Sequence, residues 1–251
     1  MSSISLVVPC FNEAERFNVP YWTEISEIKG IHLVFIDDGS KDRTRSLLTE
    51  FASAHSSEVL HHDVNLGKAE AVRTGIQHVL ASGSGSIVGF LDADGAVPED
   101  EVRRCIEVAK GLLDTHQFDA VWASRVALAG RNIVRSDFRH YVGRIIATLV
   151  SRGIEGFPYD SQCGFKLFDA SDELSAVLHQ PFSTKWFVDV EIMLRWQSAS
   201  NVPLRIYEEP LHAWSDQPGG NLSAKNVLSV VKEVLAIRSM SRQLREGRNR
   251  L

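Results

Sequence analysis

What most constrains this chain is an alternation. Apolar runs rich in β-branched residues, namely ISLVVP from Ile4, IHLVFI from Ile31, EVLHHD from Glu58, SIVGFLD from Ser86 and DAVWAS from Asp119, are separated by segments with helical spacing. Those segments cover residues 13–29, DRTRSLLTEFASAH from Asp42, GKAEAVRTGIQHVLASG from Gly67, and EDEVRRCIEVAKGLL from Glu99. In the third of them Ala71, Val72, Ile76, Val79 and Leu80 recur on one face. Strand–helix alternation of this kind predicts βαβ units and an α/β fold: a single Rossmann-like domain whose mostly parallel central sheet is flanked by helices. In such sheets ligands bind where the strands end at their carboxyl side. The polar clusters PCFNE, DDGSKD, NLGK and DADG follow the first four predicted strands in turn, so all four are expected on one rim.

The second half is less regular. From about Arg131 we expect an amphipathic helix, a Gly/Pro loop and a short strand within RSDFRHYVGRIIATLVSRGIEGFPYDSQCGFKLFD. A helix follows in DVEIMLRWQSA, then a strand and turn in VPLRIYEEPLHAW, then a long C-terminal helix. With 251 residues, 44% of them hydrophobic and 24% charged, and no repeat or linker, the chain reads as one domain. Residues 1–125 carry the regular alternation and 126–222 the less regular half. Residues 223–251 read as a basic amphipathic helix and tail.

A formal charge of −5 argues against a nucleic-acid partner. Cys10, Cys105 and Cys163 are widely spaced and odd in number, the pattern of reduced thiols in a cytoplasmic protein. There is no signal-peptide pattern, and the longest apolar run, IIATLV, is far short of a membrane span.

Taken in order, VVPCFNE, FIDDGSKDRT, NLGKAEAVRTGI, FLDADG, ASR and DSQCGFKLF resemble the family 2 glycosyltransferases of GT-A fold, and within them the dolichyl- and polyprenyl-phosphate glycosyltransferases. DADGA together with SQCGFKLF is more similar to the glucosyl branch than to the mannosyl branch, which usually carries Gln at the position of Ala96. The resemblance implies an inverting, metal-dependent transfer of a hexose, glucose by preference, from a nucleoside diphosphate sugar to a polyprenyl phosphate. It favours a UDP-sugar over a GDP-sugar, with residues 1–125 as the nucleotide-sugar-binding half and 126–222 as the acceptor half. A hydroxyl acceptor, or a nucleotide-sugar-binding module without turnover, are the alternatives.

A diphosphate leaving group gains charge as the bond to the sugar breaks, and a cation held by carboxylates neutralises it. Asp92 and Asp94 are therefore the expected ligands of Mg2+ or Mn2+, with Ala93 leaving room for close approach. The plainer alternative is that both only initiate a turn and cap the next helix. By resemblance Pro9, Phe11, Asn12 and Glu13 line the base and ribose pocket, and Asp37 or Asp38 contacts the base or sugar hydroxyls. In DDGSKD, Ser40 or Asp42 is also expected to cap a helix. Lys68 is either a phosphate ligand or a solvated side chain at a helix start. Among Arg125, Arg131, Arg135, Arg139 and Arg144, the resemblance selects Arg125 and Arg139 for the acceptor phosphate, and it places Asp160 at a carboxylate position beside the acceptor. Lys166 and Asp189 are secondary candidates. Trp186 and Phe187 read as core, and His212 as either a third metal ligand or a structural residue. The C-terminal helix, with Val227, Val230, Val231, Val234, Leu235 and Ile237 among seven basic residues, is expected either to pack on the sheet or to lie peripherally on the inner membrane face.

Overall fold

The computed structural model describes residues 3–135, 147–151, 154–200, 202–217 and 227–248, without the side chains of 227–230 and 244–248. The first half follows the alternation closely. Strands β1 (Ile4–Cys10), β2 (Ile31–Asp38), β3 (Glu58–His62), β4 (Ile87–Leu91) and β5 (Ala120–Ser124) alternate with helices α1 (Val19–Ser26), α2 (Thr44–His55), α3 (Lys68–Ser82) and α4 (Glu99–Leu113). Helix α1 starts later than its apolar spacing suggests. Pro20 sits in its first turn, and Asn18 Oδ1 accepts from the Tyr21 N–H at 3.2 Å, so the helix is capped there.

The second half contributes β6 (Asn132–Val134), β7 (Phe165–Asp169), α5 (Asp172–Leu178), α6 (Val188–Ser200), β8 (Ile206–Pro210), β9 (Ala213–Ser215) and α7 (Val227–Arg248). Seven strands form one sheet in the order β3-β2-β1-β4-β7-β5-β8. β7 enters antiparallel between β4 and β5, placing Lys166 opposite both Phe90 and Trp122. The predicted donor and acceptor halves therefore share a single sheet. β6 and β9 pair separately, in parallel.

Both faces of the sheet are buried, as parallel sheets require. One face packs Phe17, Trp22, Phe35 and Phe51 under α1 and α2. The other packs Phe90, Trp122 and Phe168 under α3, α5 and α6. With both faces covered, the carboxyl ends of β1, β2 and β4 are left to carry the polar chemistry.

Candidate active site

Asp92 and Asp94 leave β4 at its carboxyl end. The Asp92 N–H donates to the Gly164 carbonyl at 2.8 Å, tying the DADG turn to the strand β7 that follows. Lys68, the first residue of α3, brings its Nζ to 2.5 Å from Asp92 Oδ1. This is an ion pair outside hydrogen-bond geometry, and that buried oxygen accepts no hydrogen bond. Burial works to lower the Lys68 pKa, but Asp92 outweighs it and holds it above the ordinary lysine value.

Asp94 Oδ1 accepts from the Ala96 N–H at 3.0 Å, the turn bond expected of the plainer reading. Burial, and then the charge of Asp92, nonetheless raise the Asp94 pKa. Glu13, on the loop after β1, is raised by burial against the pull of Arg16 at 2.6 Å, with Asp94 and Asp92 adding to the rise. Its Oε2 is buried without a hydrogen bond. An unbonded Glu13 oxygen, an Asp92 oxygen met only by the Lys68 ammonium, and two raised carboxyl groups make a donor set that fits an oxygen-coordinated divalent cation. Asp92 and Asp94 are the carboxylates of that set that could hold one. Ala96 offers no side-chain ligand, and among the described residues no cluster of three or more His, Cys, Asp or Glu is arranged around a metal position. His212 faces α4 instead, with Nδ1 3.8 Å from Glu101 Oε1 and its backbone N–H bonded to the same carboxylate.

The loops after β1 and β2 are stitched together. Asn12, at φ +53°, donates its N–H to Ser40 Oγ at 3.0 Å and accepts from the Lys41 N–H at 2.8 Å. The N-cap of α2 is Arg43, without a side-chain cap bond, in place of the expected Ser40 or Asp42; Asp42 accepts from the Thr44 N–H at 3.0 Å and from the Ala14 N–H at 3.2 Å. Phe11 stays exposed beside this seam, with Pro9 half-buried in β1 and Ala93 buried. The two aspartates of DDGSKD separate. Asp37 is buried, accepts from Ser40, and lies 3.4 Å from His61 and 3.5 Å from Arg45. The oxygens of Asp38 are bonded to His62 at 2.7 Å, Leu66 N at 2.9 Å and Gly67 N at 2.8 Å. Asp38 anchors the NLGK loop to β2, while Asp37 holds the start of its own loop through the Ser40 N–H.

Across the rim Asp160 is enclosed by cations. Arg125 grips it in a fork, Nε to Oδ2 and Nη2 to Oδ1 at 2.7 Å each, and adds its backbone N–H at 2.8 Å; Arg135 Nη2 lies 2.9 Å from Oδ2. Both guanidiniums pack over Trp214, at 5.1 and 5.8 Å from the ring centre. Burial alone would raise the Asp160 pKa, yet the two arginines hold it well below the usual carboxylate range. The Arg125 pKa is raised by Asp160 against its burial. That of Arg135 is lowered, first by burial and then by Arg125. Arg139 and Arg144 lie outside the described residues; among those described, Arg135, one of the five arginines named above, joins Arg125 at Asp160.

Lys166 is fully buried and ion-paired to Asp189 at 3.2 Å, with Trp122 and Phe90 beneath its ammonium. Phe187 is core as expected, but Trp186 is 38% exposed. In α7, Val234 and Ile237 are buried while Val231 and Leu235 face outward, so the helix packs on the domain by one stripe only.

The sequence matches the model of glycosyl transferase family 2 over residues 5–166. A dolichyl-phosphate beta-glucosyltransferase of Trichomonas vaginalis is 27% identical over 245 residues, 93% of this chain and 72% of that one. The human dolichyl-phosphate beta-glucosyltransferase is 30% identical over 216 residues, 76% of this chain and 61% of that one. Among solved structures, glucosyl-3-phosphoglycerate synthase from Mycobacterium tuberculosis, crystallised with Mn2+, UDP and glucosyl-3-phosphoglycerate, superposes with a TM-score of 0.64 at 19% identity, covering 96% of this chain and 80% of that one. Mannosyl-3-phosphoglycerate synthase from Rubrobacter xylanophilus gives 0.68 at 19%, covering 100% and 76%. The ordered rim motifs, the seven-stranded mixed sheet and the match over most of the chain establish that this protein belongs to glycosyl transferase family 2.

Proposed function

We propose that this enzyme transfers glucose, with inversion, from UDP-glucose to a polyprenyl phosphate, with Mg2+ or Mn2+ at Asp92 and Asp94. The observation that carries the acceptor class is the state of Asp160. A hydroxyl acceptor must lose a proton as it attacks, and a positioned base typically contributes about a hundredfold or more. Asp160, the leading carboxylate on that side, is ionised, has both oxygens bonded to arginine, and has its basicity suppressed. A phosphate monoester, with a second pKa of about 6, arrives already anionic and needs cations instead of a base. Arg125 and Arg135 supply them, and Asp160 fixes their orientation. The sugar and the acceptor follow the relatives, whose names specify dolichyl phosphate and glucose.

On the donor side Phe11, Asn12 and Asp37 border the nucleotide, and Lys68 and Asp92 lie at the diphosphate. When bound, the cation would neutralise the departing diphosphate. A lipid-borne acceptor calls for a membrane-facing surface. The outward face of α7, with exposed Val231 and Leu235 beside exposed Lys232, Arg238 and Arg242, suits an anionic bilayer, while Glu233 is turned inward. Among the described residues no helix is long and apolar enough to cross a membrane. Product mass spectrometry with UDP- and GDP-sugars, against a polyprenyl phosphate and a set of saccharides, tests the reading. Glucosyl polyprenyl phosphate is the expected product, and a saccharide product formed in its place would overturn it.

A further inference from the structure

Between α5 and α6 the chain crosses the molecule as an irregular strap, and its backbone is held in an unusual way. Five consecutive N–H groups, from Phe182 to Trp186, donate to carboxylates carried by three different helices. Glu70 of α3 accepts from Phe182 at 2.5 Å. Glu191 of α6 accepts from Ser183 at 2.9 Å and Thr184 at 3.0 Å. Glu233 of α7 accepts from Lys185 at 3.1 Å and Trp186 at 3.0 Å. Arg195 secures the other side of the strap through the Gln180 and Pro181 carbonyls and packs over Phe182. A loop with every successive donor engaged by buried or half-buried acids has little freedom, so the side chains it leaves outside are presented in fixed positions.

Two of those outward side chains are Lys185 and Trp186. The strap meets the donor side of the rim directly: the Lys185 carbonyl accepts from the Ala69 N–H at 3.0 Å. The Lys185 stem lies along Gly67, where an added Cβ would come within 3.2 Å of its Cβ and Cγ. Gly67 is glycine for its φ of +98°, and a Cβ there would also crowd this stem. Its neighbour Lys68 is committed to Asp92. Among the described residues no carboxylate is paired with the Lys185 ammonium, which makes it the uncommitted cation beside the NLGK loop.

We propose that Lys185 is a further ligand of the donor diphosphate, held at the mouth of the site by the carboxylate-pinned strap. The inference rests on the donor reading above and adds a residue to it. A rigidly placed ammonium suits a leaving group whose charge grows during transfer, because its position is set before the charge develops. The strap is bonded to α3, α6 and α7 and makes no hydrogen bond to the Arg125–Asp160 cluster among the described residues, which favours donor phosphate over acceptor phosphate.

Calorimetric titration of the full chain with UDP and with uridine separates the possibilities. Lys185→Ala is expected to weaken UDP about 10-fold or more, the effect of losing a hydrogen bond to a charged group, with uridine unchanged and Lys185→Arg within about 3-fold of wild type. The acceptor KM should not move. If wild type binds UDP and Lys185→Ala binds it equally well, or if the substitution raises only the acceptor KM, this inference falls and the donor reading stands. Wild-type protein that binds neither UDP nor UDP-glucose would bring down both.

Discussion

Gly164 and Asp92 touch so closely that a Cβ on Gly164 would lie 2.1 Å from Asp92 Oδ2. This contact explains why a strand from the second half of the chain carries glycine just before β7: the acidic turn after β4 can be seated only against a bare backbone. Gly164→Ala must push Asp92 aside. We expect kcat to fall by an order of magnitude or more and stability to drop by about 1–3 kcal/mol, the usual cost of overpacking. Turnover and urea midpoints check it, and a variant with wild-type kcat would contradict the tie.

Asp94 gives a prediction whose sign follows from its titration. Its pKa in the fold is raised, so its charge costs stability, a cost that sets in as pH rises through the ordinary aspartate range and is complete above the raised value. Asp94→Asn keeps an oxygen for the Ala96 N–H and removes that charge. Without metal the variant should melt at or slightly above the wild-type temperature, while turnover falls at least a hundredfold. Mn2+ should raise the melting temperature of wild type and not of the variant. Thermal melts with and without Mn2+ and in EDTA decide the matter.

Asp160 has the opposite sign. Its pKa is depressed in the fold, so its stabilisation is fully present above the unfolded value of about 3.9 and is lost as pH falls further below it. Asp160→Asn breaks a buried pair and leaves Arg125 uncompensated, at a cost on the order of 3–5 kcal/mol near neutral pH. The gap between wild type and variant should narrow progressively below about pH 4. Denaturant midpoints across that range test this, and a gap independent of pH would show that Asp160 is not ionised.

The first half of the fold was legible because both periodicities run cleanly there, and the predicted runs reappear as β1 to β5 and α1 to α4. The place of β7 was not legible. FKLFD reads as a short strand, but its insertion between β4 and β5 depends on pairing with residues far away in sequence. Helix α5 was missed despite a usable signal, Ser171 ahead of Asp172 and Glu173, with Ser171 Oγ accepting from the Leu174 N–H. The site divides in the same way. Asp92, Asp94 and Lys68 stand out by residue type and by position at strand ends, whereas Arg125 follows from the family resemblance. Adjacent strand residues point to opposite faces, so Asp37 and Asp38 had to part company, and the sequence could not say which would turn to the NLGK loop. Glu70, Glu191 and Glu233 are scattered along the chain, so the strap they hold becomes visible only in three dimensions.

Membrane docking rests on the outward face of α7. Replacing Val231 and Leu235 with Ser, both exposed, should leave the melting temperature within a few degrees and reduce flotation with anionic vesicles several-fold. Salt should weaken the wild-type interaction, because Lys232, Arg238 and Arg242 contribute by charge. Equal flotation with neutral and anionic vesicles at low salt would argue against the surface.

Under the proposed function, Arg125 and Arg135 serve an oxyanion that needs no base. The most direct measurement compares kcat/KM for a polyprenyl phosphate and for the unphosphorylated polyprenol of the same chain length, with UDP-glucose saturating. A preference for the phosphate of about a thousandfold or more is expected, since the alcohol brings no charge to Arg125 and Arg135 and must lose a proton as it attacks. Arg135→Ala should reduce that preference mainly through the phosphate KM. Comparable rates with the alcohol, or a kcat governed by an ionising carboxylate at Asp160, would contradict it.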